Sequence, residues 1–499
     1  MKISHLIIFA PEIAVLSLAL LLLILDWVTP KRKKVWIGYF SAIMILVFMG
    51  GFLCLAKNRF FPYAASFHGF IFDAFALYFK ELFLLVAFLV TLFSVNFFKQ
   101  EDEGQGEYYA LLLFVTLGCF LLVSSADLLM LFLSFEMMSI PLYVMCAYAK
   151  KDSKSSESGL KYFLIGAITS ALLLYGISLV YAATGTTNLH LFIDGLVSAN
   201  KLAYNPILLL GVILMLCAFS FKIAAVPFHM WAPDVYEGAP APVVAFLAVS
   251  PKIAVIGLMT RLFLAGMQPL QPLWVFLFAV LAALTMTVGN LAALFQQNLK
   301  RLLAYSGIAQ MGYILVGFAS IQPFFKNMPT LQIGYQAILF YLAAYLFSDL
   351  AAFGIVTYLS AHGIEEIKSL KGLAEKNPML AFLFLISLLS LAGVPPLVGF
   401  VGKFYLFLAA VSSKLYWLAV LGVVNSVISL FYYLRVARSM YFEKEEGVSI
   451  PYPSFSMQVA LLVAIFGILA VGVYPFVITH LSIQVLTPLS NVPISHAMK

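Results

Sequence analysis

Charged side chains set inside long apolar runs constrain this chain more than any other feature. Lys222, Lys252, Lys403 and Glu136 each interrupt a stretch that otherwise reads as a membrane span. A charge near mid-bilayer costs about 2.5–3.5 kcal/mol on insertion scales, and such residues mark pathways for ions or protons. Any fold for this chain must therefore cross a membrane many times and shelter these groups from lipid. Composition supports that reading. Of 499 residues 63% are apolar and only 10% charged, against about a quarter charged in soluble domains. A soluble core also stops growing near ~250–300 residues, so the apolar surplus has to face lipid.

A spanning helix needs about 20 predominantly apolar residues. Fourteen candidate spans follow: 4–27, 35–55, 72–97, 108–124, 127–148, 160–184, 206–230, 240–263, 273–296, 301–321, 332–360, 378–410, 414–440 and 456–481. Ser124-Ser125-Ala126-Asp127 is the one turn signal in the tight run from 108 to 148. The expected class is an all-α polytopic membrane protein, since no segment alternates like a barrel strand. The stretch Leu6–Trp27 is too long for a signal-peptide core, lacks a small-residue cleavage site and ends against Lys31-Arg32-Lys33-Lys34. It is expected to be a retained first span. Loops after odd-numbered spans hold 17 Lys and Arg, whereas loops after even-numbered spans plus both termini hold 8. The positive-inside rule then puts the first set in the cytoplasm and both termini on the periplasmic side. The net charge of +7 mostly expresses this bias and gives no reason to expect nucleic acid as a partner.

The buried charges fall into a file. Glu136 lies about nine residues into span 5, roughly 14 Å deep at 1.5 Å per residue. Lys222 lies deep in span 7, Lys252 near the centre of span 8, and Lys403 in span 12. None has an opposite charge one turn away on its own helix, so partners must come from other helices. Pro227 follows Lys222, and Gly393-Val394-Pro395-Pro396 precedes Lys403. Proline removes a backbone donor and breaks the helical ladder, and broken backbone at membrane depth is tolerated only where it is buried in protein or lines a cavity. Two broken spans, each with a lysine, in corresponding halves predict an internal repeat with ion sites at the breaks. The expected organisation is a three-span segment (1–107), a first repeat (108–263), a second repeat (273–440) and a last span with its tail (441–499).

The chemistry of this file suits protons. Burial disfavours an ammonium, and a nearby carboxylate favours it. A lysine whose acidic partner approaches or withdraws can thus take up and release a proton. Arginine holds its proton too tightly for that task. Glu136 is the expected switch for Lys222, Lys252 the central relay and Lys403 the last station. The competing reading for any single lysine is snorkelling or a structural ion pair, and Lys80, beside Glu81 near the start of span 3, fits that reading. Asp73 and Asp26 sit at span ends and read as interfacial, and Glu12 is the weakest candidate. His229 is either structural or a proton shuttle between Lys222 and a water-filled vestibule. Cys54, Cys119, Cys146 and Cys217 form no CxxC pair, so no cluster, zinc or disulfide role is expected. The segment Gly399–Lys403 lacks the first glycine and the Ser/Thr of a phosphate loop.

The run Phe221–Val243, FKIAAVPFHMWAPDVYEGAPAPV, resembles the junction of spans 7 and 8 in the antiporter-like subunits of respiratory complex I, Mrp-type cation/proton antiporters and membrane-bound hydrogenases. The resemblance runs from about residue 70 to 445. SFEMMSIPLY (Ser134–Tyr143) and LKYFLIGA (Leu160–Ala167) are similar to the subunit N branch of bacterial NADH–quinone oxidoreductase. So is Lys403, where the M branch has glutamate. The chain also ends soon after span 14, without the lateral helix of the L branch. The resemblance implies two inverted five-helix repeats with broken helices 7 and 12. It implies a Glu136–Lys222 pair on the intake side, Lys252 at the centre and Lys403 near an exit half-channel. It also implies a translocase subunit of the inner membrane with no cofactor of its own. NADH, FMN, iron–sulfur clusters and quinone would be used by other subunits, and the partners would be M-like and K-like neighbours, the L, A, J and H subunits, lipid, protons and water. Asp349 in span 11 departs from the family pattern, which places an uncharged residue there. It is expected either to modulate Lys403 or to face water harmlessly.

Overall fold

The computed structural model describes residues 8–30, 34–57, 64–67, 69–98, 105–189, 205–265, 267, 270–321, 330–443 and 451–490. Lys31, Arg32, Lys33, Lys99 and Lys444 of the charge count, and both chain ends, lie outside them. The helices are α1 Ala10–Val28, α2 Val35–Lys57, α3 Ala74–Ser94, α4 Gln105–Ser124, α5 Leu128–Cys146, α6 Ser153–Thr184, α7 Pro206–Lys222, α8 Trp231–Gly238, α9 Ala241–Ala265, α10 Gln271–Ala293, α11 Leu299–Ala319, α12 Thr330–Ser360, α13 Pro378–Ala392, α14 Val398–Ser412, α15 Tyr416–Phe442, α16 Phe455–Val473 and α17 Phe476–Ser490. Among the described residues twelve helices are long and apolar enough to cross a membrane. Spans 7 and 12 of the sequence reading correspond instead to shorter apolar helices: α7, and the pair α13 and α14.

Three elements differ from expectation. A short antiparallel hairpin, β1 Ala64–Phe67 and β2 Phe70–Asp73, precedes α3. It is too short for a legible alternation, and Gly69 at φ +85° supplies the left-handed turn residue it needs. Span 6 begins earlier, at Ser153, because Asp152 caps the helix by accepting from Lys154 N at 3.0 Å. The last span divides into α16 and α17 around Pro475, which has no N–H to continue the ladder.

The helices sort by burial. The membrane-crossing stretch of α9 is buried along its whole length, and those of α11 and α12 almost so. By contrast α1, α2, α6, α10 and α15 keep apolar faces open, with Trp27, Ile168, Phe276 and Phe431 among the exposed side chains. An apolar face on the outside is what a lipid environment selects. Lys252 and Asp349 lie on two of these buried helices, α9 and α12, and the side chains of Lys222 and Lys403 are buried as well.

One hydrogen-bonding pattern occurs twice. The segment before α5 meets the segment after α6: Leu128 N donates to Thr187 O, Leu189 N to Ala126 O, and Asp127 bridges to Asn188. The segment before α11 meets the segment after α12 in the same way: Leu299 N donates to Glu365 O, Ile367 N to Gln297 O, and Asn298 bridges to Glu366. Asp127 and Asn298 are also the N-cap residues of their helices. Close contacts repeat as well. A Cβ on Gly118 of α4 would strike the backbone of Met138 in α5, and one on Gly289 of α10 that of Ala309 in α11. Gly118 to Gly289, Asp127 to Asn298 and Met138 to Ala309 are each 171 residues apart.

Arg261, Asp73, Glu12, Lys80, Asp26 and Lys300 are further buried charges among the described residues. Arg261 near the end of α9 donates to both oxygens of Asp73 at 2.9 and 2.8 Å and to Val123 O at 2.9 Å. Asp73 also caps α3 through Ala76 N. Lys80 pairs with Glu12 at 2.6 Å, and Asp26 pairs with Lys34 at 2.7 Å while accepting from Gly106 N. Asp73 and Asp26, read from sequence as interfacial, are buried and paired, and Lys80 makes the structural ion pair offered as its alternative. Asp73→Ala would leave the Arg261 guanidinium buried without its partner, which costs about 3–5 kcal/mol. The expected outcome is a lower thermal midpoint for the membrane-extracted protein, and an unchanged midpoint would contradict the clamp.

Candidate functional site: a file of buried ammonium groups

Lys222, Lys252 and Lys403 are 1%, 1% and 3% exposed. Lys222 and Lys403 are held in different ways, and Lys252 Nζ has no hydrogen-bond partner. Lys222 is the last residue of α7, and its Nζ donates to Ser139 Oγ on α5 at 2.8 Å. The rings of Phe135, Tyr143 and Tyr162 surround it at 5.4, 5.3 and 4.9 Å from ring centre, a cation–π cage that stabilises a desolvated ammonium. Glu136 lies close enough for its charge to act on Lys222, but the two make no ion pair within 4.0 Å, and Glu136 Oε1 is buried without a hydrogen-bond partner. The acid and base are neighbours held apart.

The chain leaves α7 through a break from Ile223 to Met230. Ala224 adopts φ +57°, a left-handed conformation that costs a non-glycine residue about 1–2 kcal/mol. The freed backbone is satisfied from elsewhere: Val226 N donates to Thr285 Oγ1 on α10 at 3.0 Å, and Trp231 Nε1 donates to Phe221 O at 2.9 Å. The Val226–Pro227 peptide is cis, as is Pro395–Pro396 at the second break. His229 sits in the first break, half-buried, with Nδ1 unpaired.

At the second break α13 ends at Ala392, and Gly393 takes φ +89°. The last carbonyls of a helix have no partner within it and carry its negative dipole end. Lys403 on α14 reaches back to them, donating to Leu391 O and Ala392 O at 3.0 Å each and to Ser426 Oγ at 3.0 Å, with the Tyr313 ring centre 4.5 Å away. Among the described residues no carboxylate pairs with it.

Between these lysines lies a polar seam that sequence reasoning missed. Gln310 on α11 donates to Leu391 O at 3.0 Å, the same carbonyl that holds Lys403, and accepts from Tyr341 OH. Tyr433 OH joins Gln310 Nε2 at 3.4 Å and Ser306. Lys252 is next to this seam: a Cβ on Gly307 would lie 3.0 Å from its Nζ. Neutral Gln, Ser and Tyr within apolar helices give no signal like a buried charge, although Ser306-Gly307 and Gln310 repeat every turn along one face of α11. Ser139 and Gln310 stand 171 residues apart, the separation found for Asp127 and Asn298. Each contacts the end of the helix before a break.

Asp349 requires correction. It is wholly buried on α12, away from bulk solvent, and its charge acts on Lys252 rather than Lys403. The reason is packing: Tyr345, one turn before it, donates to Ala248 O on α9 at 2.8 Å, fixing this part of α12 against the helix of Lys252.

At one end of α6 and α11 a network of exposed charges closes over α8. Lys161 pairs with Glu157 and Asp234 at 2.8 and 3.2 Å, and Arg301 with Asp234 and Glu237 at 2.7 and 2.9 Å. Burial raises the Asp234 carboxyl, but hydrogen bonds from Arg301 and Lys161 outweigh this and hold it below the usual carboxylate value. Its stabilising share is therefore full at neutral pH and is lost only as pH falls into the acid range. A surface cavity lined by Asn96, Tyr358, His362 and Ser454 contains none of the file residues. Among the described residues no group of three His, Cys, Asp or Glu is placed to hold a metal.

The sequence profile of the NADH:quinone oxidoreductase/Mrp antiporter membrane family matches residues 125–429. The chain belongs to this family. It is 42% identical to NADH-quinone oxidoreductase subunit N of Moorella thermoacetica, covering 94% of this chain and 96% of that one. Among solved family structures it superimposes on a chain of respiratory complex I from Thermus thermophilus with TM-score 0.76 and 31% identity, covering 94% and 98%. A chain of an archaeal membrane-bound sulfane sulfur reductase gives TM-score 0.83 and 26% identity, covering 98% of each.

Ser139→Ala removes the hydrogen-bond acceptor of Lys222, a bond to a charged group worth about 1.5–3 kcal/mol. A thermal melt of the membrane-extracted protein should show a lowered midpoint for Ser139→Ala and a retained one for Ser139→Thr; equal midpoints for the two would contradict the contact.

Proposed function

We propose that the chain is a proton-translocating membrane subunit of NADH–quinone oxidoreductase, in which quinone reduction elsewhere in the complex drives protons along Glu136, Lys222, Lys252 and Lys403. The observation that carries this reading is that three lysines are buried at breaks or mid-helix and, among the described residues, none makes an ion pair within 4.0 Å. A structural role would pair them, as Lys80 and Arg261 are paired. Groups left to dipoles, rings and hydroxyls keep both protonation states within reach, which is what a relay needs. The identity of 42% to a subunit N over nearly the whole chain supports the same assignment.

In this reading residues 108–263 and 273–440 are inverted repeats, preceded by 1–107 and followed by 441–499. The recurring 171-residue separation supports it. Glu136 gates Lys222 by moving toward or away from it, Lys252 passes charge between the halves, and Lys403 delivers it to the exit side. Pro227, Pro395 and Pro396 maintain the breaks, and His229 shuttles protons to Lys222. The complex sits in the bacterial inner membrane with both termini periplasmic. NADH, FMN, iron–sulfur clusters and quinone belong to other subunits, and M-like and K-like subunits flank this one with L, A, J and H beyond. The second reading is a subunit of an Mrp-type antiporter or membrane-bound hydrogenase, complexes whose antiporter-like subunits the Phe221–Val243 run also resembles. Adjacent genes for other complex I membrane subunits would favour the first reading, and Mrp-type or hydrogenase genes the second.

In the assembled complex Lys252→Ala is expected to lower coupled quinone reduction and pumping at least about tenfold, the low end of what general acid–base groups contribute being ~100-fold. Wild-type rate and stoichiometry would sink the relay. Glu136→Gln should slow turnover while Glu136→Asp keeps part of it, because only the switchable charge is required; a Gln variant indistinguishable from wild type would make the Glu136–Lys222 couple dispensable.

A further inference from the structure

The two halves are not equivalent around their lysines. The residue 171 positions after Glu136 is Gly307, so α11 carries no acid where α5 carries one. Gly307 faces Lys252: a Cβ there would lie 3.0 Å from Nζ and 3.5 Å from Tyr345 OH. An acid is supplied instead by the adjacent helix. Side chains on a helix lean toward its N-terminus. Two crossings, α10 and α11, separate α9 from α12, so the two run antiparallel, and Lys252 and Asp349 lean toward each other over the Tyr345–Ala248 hydrogen bond.

Around this contact several buried polar atoms lack partners. They are Lys252 Nζ, Asp349 Oδ1 and Oδ2, and Tyr236 OH. Lys252 Nζ lies 5.5 Å from the Tyr236 ring centre, and Tyr236 packs on Phe353, one turn beyond Asp349, at 6.0 Å. Each charge acts on the other, yet they form no ion pair within 4.0 Å. Buried polar groups almost always find a hydrogen-bond partner, and water is the species that bridges buried polar groups that do not touch. A lysine and an aspartate that met directly would form a static clamp like Arg261–Asp73. Held apart, they can exchange a proton.

We propose that Asp349 is the acid of the second half, and that it exchanges a proton with Lys252 through bridging water between Tyr236, Gly307 and Tyr345. The step is balanced between the two groups. An Nζ–H bond breaks and an Oδ–H bond forms, with water passing the proton along, so that ammonium and carboxylate become amine and carboxylic acid. Lys252 is then free to accept the next proton arriving from Lys222. Asp349 thus does for Lys252 what Glu136 does for Lys222, from a different helix. The inference rests on the relay reading given above.

Turnover and protons pumped per quinone, measured on the assembled complex with Lys252→Met, Asp349→Asn, Asp349→Glu and the double variant Lys252→Met/Asp349→Asn, test it. The expected result is at least a fivefold loss of coupled turnover in Asp349→Asn, less than a twofold loss in Asp349→Glu, and a double variant no slower than Lys252→Met. A slow Lys252→Met beside an Asp349→Asn of wild-type rate and stoichiometry overturns the role of Asp349 and leaves the relay standing. A wild-type Lys252→Met overturns the relay and Asp349 with it. Should Asp349→Asn fail to assemble, Lys252→Met/Asp349→Leu, which removes both charges, should assemble as well as Lys252→Met does. Its failure beside an assembled Lys252→Met would overturn the proposal.

Discussion

An ammonium group in a bilayer is tolerated only where the protein replaces the water it has lost. The rest of this structure follows from how that is done. Where α13 stops short, its last two carbonyls hold Lys403. Where α7 stops short, an aromatic cage and one serine hydroxyl hold Lys222. Interrupting a helix in a membrane exposes backbone that must be satisfied, and here Thr285 and Trp231 satisfy it at the first break. At the second break Gln310 on α11 shares the Leu391 carbonyl with Lys403.

The contrast between paired and unpaired charges separates structure from function. Arg261 with Asp73 and Lys80 with Glu12 are in contact and satisfied. They hold α1, α3 and α9 together near one another's ends. Glu136 and Lys222, and Asp349 and Lys252, feel each other without touching. A pair in contact at low dielectric is strongly bound and poorly suited to changing state. Separation keeps both protonation states accessible and makes the spacing itself the control variable.

Sequence exposed the spans and the lysines because both are compositional: about twenty apolar residues in a row, and a charge where none is affordable. The prolines at 227, 395 and 396 located the breaks for the same reason. What it could not show was pairing. Asp73 and Asp26 stood at span ends and read as interfacial, yet a second helix covers each of them. Asp349 was visible, but its partner depends on which face of α12 meets α9, and that is set by packing across the whole bundle. Gln310 and Tyr433 were hidden because neutral polar residues are ordinary inside membrane helices. The hairpin before α3 was too short for a period to appear.

The measurement that tests the account most directly is a structure of the assembled complex with ordered water resolved along this chain. The account predicts a hydrated file joining Glu136, Lys222, Lys252 and Lys403, with water between each acid and its lysine. Dry packing around the three lysines, with each closed into a contact ion pair, would contradict it.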